Sequence, residues 1–175
     1  MRQSVVPRSL LPRIARLRIR NTCPLVSVLR ETMIEQLAFW ELLLRLAAPT
    51  AFGALLGWER ESADKPAGLR THMLVGLGAS CFTLVGLSLF HQVADGELGE
   101  GMDPIRVVEG VATGIGFLGA GTILKKGDDS KGLTTAAGVW AVGAIGAACG
   151  AGFYALAAAT AAAGVLILLA RRLVD

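Results

Sequence analysis

Charge is scarce in this chain. Only 18% of its 175 residues are Asp, Glu, Lys or Arg, against 53% hydrophobic, and the mean hydropathy is +0.57. Soluble domains carry nearer a quarter charged residues because their surfaces must be wetted, so this balance excludes an ordinary water-facing globule and makes lipid the solvent. Cysteine is sparse too. Cys23, Cys81 and Cys149 lack metal-ligand spacing, which excludes a cysteine-based zinc site and leaves the last two as small buried thiols. The two histidines, His72 and His91, stand at opposite ends of one apolar run and cannot share a site. Ser80 and Ser88 have no base beside them, so nothing assembles a nucleophile, a base and an oxyanion hole. No catalytic residue, metal ligand or cofactor is expected, and the chain is not expected to be an enzyme.

What is abundant is uninterrupted apolar sequence. Runs lie near 39–57, 72–91, 107–124, 134–150 and 152–170, each close to the ~20 residues that cross a hydrocarbon core of about 30 Å. Buried core helices are a poorer account, because nothing polar is left over to form an outside. The expected fold is all-α, a polytopic membrane helical bundle of about five transmembrane helices over residues 39–173, preceded by a basic extension, 1–38.

Lysine and arginine set the expected orientation. Arg60, Lys65 and Arg70 follow the first run, Lys125, Lys126 and Lys131 follow the third, and Arg171 and Arg172 end the chain. These three places share one side of a five-span chain. The opposite side offers Arg106, beside Asp95, Glu97, Glu100 and Asp103. The positive-inside rule therefore predicts a cytoplasmic C-terminus and an outer start for the first span. The extension conflicts with this, since its first 32 residues hold seven arginines and one acid, Glu31. A start at Met33 removes the conflict and leaves 10 basic against 13 acidic residues. An organellar leader or a basic tail lying on anionic lipid are the other readings. The pI near 9.0 rests on this segment and carries no argument for nucleic acid as a partner.

Two loops resemble each other. GWERESADKPAGLRT (57–71) and GTILKKGDDSKGLTT (121–135) match at five positions with a constant offset of 64 residues. Such a match is expected either from a duplicated helical hairpin or from shared turn chemistry. In the first loop Asp64 is expected to cap the next helix, Pro66 to occupy its first turn, and Arg70 to snorkel to the headgroups. A cluster of charges from the two loops could also bind a partner or a cation.

Glycine recurs at helical spacing. Gly114-x-Gly116-x-x-Gly119 mimics a dinucleotide fingerprint, but that fingerprint needs a strand before it and a soluble βαβ unit around it. Membrane packing accounts better for Gly53-xxx-Gly57, Gly110-xxx-Gly114 and Gly146-xxx-Gly150, each of which lets helix backbones approach closely. A broken helix exposing carbonyls to an ion is the sharper alternative. Within the spans, Arg45 costs about 2.5–3.5 kcal/mol to insert if unpaired. Glu41, one turn earlier, and Glu109, near the start of the third run, are its candidate partners, with Pro49 expected to bend the first span.

The segments GALLGWERE, KPAGLRTHMLVGLGA, DPIRVV, TGIGFLGAGTIL and GLTTAAGVWAVGAIG occur in this order and spacing over about residues 40–170. Together they resemble the MgtC/SapB family of bacterial inner-membrane proteins. The resemblance implies a multi-pass protein with no established transport or enzymatic activity, linked to low-magnesium adaptation, survival inside macrophages, and restraint of the F-type ATP synthase. Its signature positions fall here on Arg45; Glu59, Arg60 and Glu61; Lys65, Pro66, Gly68, Arg70 and Thr71; Gly114, Gly116, Phe117, Gly119 and Gly121; and Gly132, Leu133 and Thr134. Better-known members continue into a soluble cytoplasmic domain, so this sequence is expected to be a short form.

Two functions from different classes follow. One is a regulator in the lipid bilayer whose glycine-lined faces dock helices, its own or those of a partner such as the ATP synthase, with self-association as the other expected contact. The other is a small oligomeric channel or transporter for Mg2+ or protons, working past Arg45 and Glu109. Magnesium wants carboxylates that leave it several waters, and the acids of this chain cluster in loops.

Overall fold

The computed structural model describes residues 37–94, 103–126 and 129–170. Five helices follow one another: α1 (Phe39–Ser62), α2 (Leu69–Ala94), α3 (Pro104–Gly121), α4 (Leu133–Gly150) and α5 (Tyr154–Ala170). A two-stranded antiparallel ribbon, β1 (Leu124–Lys126) and β2 (Asp129–Lys131), joins α3 to α4. The all-helical expectation holds apart from this ribbon, and α1, α2 and α4 are long and apolar enough to cross a membrane. Helix α5 is apolar but shorter, with 17 residues. Residues 1–36 of the basic extension, with Cys23 and the start at Met33, and Glu97, Arg171 and Arg172 lie outside the described residues.

Helix α4 is the hub and packs against all four of the others. Val139, Val142, Ile145 and Cys149 from it are fully buried, with Leu56 of α1, Ala79 of α2, Ile115 of α3 and Ala157 and Ala161 of α5 around them. The outside is as apolar as the core: Trp40, Leu55, Phe82, Phe117, Trp140 and Ile167 are all exposed. A surface of this kind is stable only where lipid replaces water. Cys149 is buried as expected, whereas Cys81 is exposed on α2.

Glycine sets how closely α1, α2 and α4 approach. A Cβ added to Gly53 would stand 2.8 Å from the His72 carbonyl carbon, one on Gly150 2.6 Å from the Ser80 carbonyl oxygen, and one on Gly146 2.8 Å from the Ala79 Cβ. Two of the three expected glycine pairs therefore pack inside the chain. The third behaves differently: around Gly110 and Gly114 there is open space. The spacing is the same in all three, and which way each pair faces depends on the packing of the whole helix.

The helix ends correct several expectations. Helix α1 runs past residue 57 to Ser62 and closes with Asp64 N–H on the Glu61 carbonyl (3.1 Å) and Lys65 N–H on the Arg60 carbonyl (3.0 Å). That is a Schellman end, with Asp64 as the left-handed residue at φ 52°. Asp64 thus finishes α1 and does not cap α2. Pro66 lies in the loop, three residues before α2 begins, and not in its first turn. Helix α4 ends in the same way, with Gly152 at φ 87° as the left-handed residue. The third helix stops at Gly121, three residues before the expected limit, because Leu124 enters the ribbon.

The two similar loops are built differently. In both, the Gly-Leu pair opens a helix, at Gly68–Leu69 and at Gly132–Leu133. Gly132, however, has φ 95°, and a Cβ on it would run into the Thr122 carbonyl, so it accepts no side chain. Gly68 is crowded instead by the Glu61 side chain.

Pro49 lies inside α1, which continues through it unbroken. Lacking an N–H, it leaves the Arg45 carbonyl without its donor four residues on. Ser80 of α2 supplies the replacement, its Oγ donating to that carbonyl at 2.6 Å. An orphaned carbonyl in hydrocarbon is thereby satisfied by the neighbouring helix.

Two substitutions separate packed glycine from open glycine. Gly146→Ala is expected to destabilise the protein by about 1–3 kcal/mol through overpacking. Gly114→Ala is expected to leave the melting temperature in detergent unchanged or slightly raised, since alanine is the better helix former. Thermal unfolding followed by circular dichroism compares the two.

Candidate functional site

Polar side chains gather at both ends of the bundle. At one end, Arg45 and Glu41 of α1 are one turn apart, with Nε 2.9 Å from Oε1. The Arg45 side chain is mostly buried, and its Nη1 donates to the Gly150 carbonyl at 2.8 Å. That carbonyl ends α4, where a cation also meets the negative end of the helix dipole. Tyr154, opening α5, donates its hydroxyl to the same Glu41 Oε1 at 2.9 Å. A Cβ on Gly152 would lie 3.2 Å from Arg45 Nη2, so the turn between α4 and α5 is shaped around the guanidinium. Of the two candidate partners, Glu41 is the one Arg45 meets. Glu109 is exposed on α3 and makes no ion pair among the described residues.

The other end surrounds the α1–α2 loop. Glu61 Oε2 accepts from the Leu69 N–H at 2.6 Å, so a carboxylate from the end of α1 caps the start of α2. Arg60 is 1% exposed, with Nε on Glu59 Oε2. His72 is wholly buried, its Nδ1 2.9 Å from the Gly68 carbonyl, and its Nε2 faces Gly138 of α4, whose added Cβ would lie 3.3 Å away. Since a carbonyl can only accept, Nδ1 carries the proton in that contact. Arg60 Nη1 and His72 Nε2 have no hydrogen-bond partner among the described residues. Glu59, Arg60, Glu61 and Gly68 are thus brought together, Lys65 is half-buried beside them, and Pro66 is exposed. The side chains of Lys125, Lys126 and Asp129, and the whole of Asp128, lie outside what is described. The expected charge cluster between the two loops therefore stands without a structural account. Among the described residues no three of His, Cys, Asp and Glu are placed to hold a metal.

Arg70 and Thr71 take no part in that cluster. They stand at one end of an apolar groove of about 920 Å3 between α2 and α3. Leu74, Gly78 and Phe82 form one wall, Gly110, Gly114 and Leu118 the other, and Arg106 stands at the far end. From Arg70 to Gly86 the groove follows α2 for about 24 Å, most of a hydrocarbon core. Beside it, α3 turns a face outward. Gly114, Gly116 and Phe117 are exposed, with open space at Gly114, Gly116 and Gly121. Gly119 is the buried member of the motif and packs on Ala136 of α4, 3.3 Å from its carbonyl. Of the last signature set, Leu133 and Thr134 are exposed at the start of α4.

The order of these segments agrees with a match to the MgtC family model over residues 46–175. The chain belongs to the MgtC family. It is 41% identical over 116 residues to YhiD of Escherichia coli (strain K12), which is named as a candidate magnesium transporter; the match covers 66% of this chain and 54% of YhiD. It is 37% identical over 121 residues to Protein SapB of Bacillus subtilis (strain 168), covering 65% of this chain and 49% of SapB. It is 42% identical over 113 residues to Protein MgtC of Brucella abortus (strain 2308), covering 65% of this chain and 44% of MgtC. This MgtC-family chain spans about half the length of the curated relatives it matches. No solved structure matches it significantly.

In this member of the MgtC family, the motif residues divide between holding the fold and facing outward. Sequence reasoning passed over Tyr154, and it set Ser80 and His72 aside as lacking catalytic partners. The spacing Gly68-xxx-His72 was the available signal for the histidine, since it joins a side chain to a carbonyl one turn back. Nothing local announced Tyr154, which lies 113 residues from its partner.

Two variants test the Arg45 assembly. Ser80→Ala leaves the Arg45 carbonyl unsatisfied in an apolar setting and is expected to cost about 1–3 kcal/mol. Arg45→Met is expected to lower the melting temperature more than Tyr154→Phe, because it strips partners from both Glu41 and Gly150 while the tyrosine variant loses a single bond. Detergent melts of the three proteins rank the losses.

Proposed function

We propose that the chain is a non-enzymatic regulator in the bacterial inner membrane that acts through helix–helix contacts with other membrane proteins. The observation that carries this reading is the outward face of α3, where Gly110, Gly114, Gly116 and Gly121 meet open space beside an apolar groove. Helices in lipid associate by close backbone packing, which glycine permits, so a helix left with glycine exposed suits docking. Arg45, by contrast, supports stability, since Glu41, Gly150 and Tyr154 engage it and its pair.

In this reading the chain is multi-pass with its C-terminus cytoplasmic. The loop bearing Arg60, Lys65 and Arg70 and the one bearing Lys125, Lys126 and Lys131 face the cytoplasm, as the positive-inside rule requires. Low-magnesium adaptation and restraint of the F-type ATP synthase are the physiological settings that the family membership suggests. The second reading is a conductor of Mg2+ or protons, and the name of YhiD favours the magnesium form of it alone.

Inverted membrane vesicles from cells with and without the protein distinguish these readings. A regulator of the proton-driven ATPase is expected to slow ATP-driven proton pumping while passive proton and Mg2+ leak stays unchanged, and Gly114→Leu is expected to restore pumping. A raised leak that Glu109→Gln abolishes would establish the conductor instead. Pumping and leak both unaffected would remove the ATPase as target.

A further inference from the structure

We propose that the outward face of α3 is a self-complementary interface and that its occupant is α3 of a second copy of this chain. The inference rests on reading that face as a helix-docking surface and on membrane insertion, and not on any effect on the ATP synthase.

Glu109, Thr113 and Phe117 follow one another at intervals of four, forming a single ridge along α3, and all three are exposed. Phe117 is 81% exposed, the most prominent knob on the helix. Thr113 donates its hydroxyl to the Glu109 carbonyl at 2.7 Å, so its polar hydrogen is already satisfied within the helix. Next to this ridge runs a second row at the same interval, Arg106, Gly110 and Gly114, which lines the groove. The first row protrudes and the second is recessed, since a Cβ on either glycine would meet nothing within 4 Å. Ridges at intervals of four pack into grooves at intervals of four, the commonest way that two helices meet.

Two-fold symmetry makes the fit reciprocal. A two-fold axis along the membrane normal keeps every residue at the same depth in both copies, so the ridge of each copy enters the recessed row of the other. Glu109 of one copy then approaches Arg106 of the second, Thr113 lies over Gly110, and Phe117 fills the space above Gly114. The offset of three residues is about 4.5 Å along the axis. The lean of helical side chains towards the N-terminus and the length of arginine take it up. Charge complementarity decides the occupant. Neither Arg106 nor Glu109 forms an ion pair among the described residues, and both stand in the first turns of α3, where a pair between copies meets the headgroup boundary. A lipid chain would fill the groove but leave Glu109 unanswered.

The test exploits this reciprocity. Differently labelled copies are reconstituted in liposomes, and energy transfer is followed as lipid dilutes the protein. The wild type is expected to associate. Arg106→Glu alone sets two acids opposite each other twice, and Glu109→Arg alone sets two cations opposite each other twice, so each is expected to weaken self-association by about tenfold or more. In a mixture of the two variants, the acid introduced at position 106 of one copy faces the cation introduced at position 109 of the other, and the unchanged Glu109 faces the unchanged Arg106. Mixing is therefore expected to restore wild-type energy transfer. That rescue excludes misfolding as the cause of the losses, because unfolded chains do not recover by mixing. No energy transfer from the wild type at any dilution would overturn the proposal and leave lipid or another protein as occupant. Association that neither substitution weakens, or losses that mixing does not rescue, would overturn it as well, by showing another face at work. Neither result depends on the vesicle pumping assay, so the two readings fail separately.

Discussion

Close approach of backbones along α1, α2 and α4 is the constraint on which the rest of the structure depends. Lipid tails are as apolar as leucine, so helices in a membrane gain little from hiding greasy surface and must gain from contact itself. Gly53, Gly146 and Gly150 permit that contact, because at each of them a β-carbon would run into the next helix. The small side chain of Ala79, against which Gly146 packs, completes the seam. Once the three helices are drawn together, α3 and α5 lie against α4, and the places of the polar groups follow.

Those polar groups act as fasteners at the two ends. Pro49 removes a donor from α1 and Ser80 of α2 supplies one. Arg45 reaches the last carbonyl of α4, while Glu41 receives the hydroxyl that opens α5. At the opposite end Glu61 caps α2 and Arg60 and His72 are enclosed. The bonds of Ser80, Arg45 and Tyr154 each join two helices, and that of Glu61 completes a helix terminus. The charges of α3, Arg106 and Glu109, are placed differently, on its outer surface, and neither forms an ion pair among the described residues.

The fold was legible because its signals are long and one-dimensional. Five apolar runs became five helices, since a run of about 20 apolar residues has few alternatives in lipid. Ends were less legible. Asp64 and Pro66 carry the chemistry of a helix start, yet Asp64 closes the preceding helix, because a left-handed residue was needed there and the capping carboxylate came from Glu61, eight residues before Leu69. The glycine pairs were recognisable as packing elements, but their spacing is identical whether a partner lies inside or outside the chain. Gly110 and Gly114 could be told from Gly146 and Gly150 only by three-dimensional packing. Arg45 was recognisable as needing a partner, whereas Tyr154 and Ser80 became visible only when helices distant in sequence were brought side by side.

The reach of Arg45 has a consequence for biogenesis. The carbonyl that receives it belongs to a residue 105 positions later, which a ribosome working at about 5–20 residues per second adds roughly 5–20 s after the arginine. Throughout that interval the guanidinium lacks its final acceptor, and α1 has Glu41 as its one internal counter-ion. Helix α1 is therefore tied through Arg45 only after α4 has been made. Until then it lacks the contact that ties it to the last turn of that helix, so the register between the two is set late in synthesis.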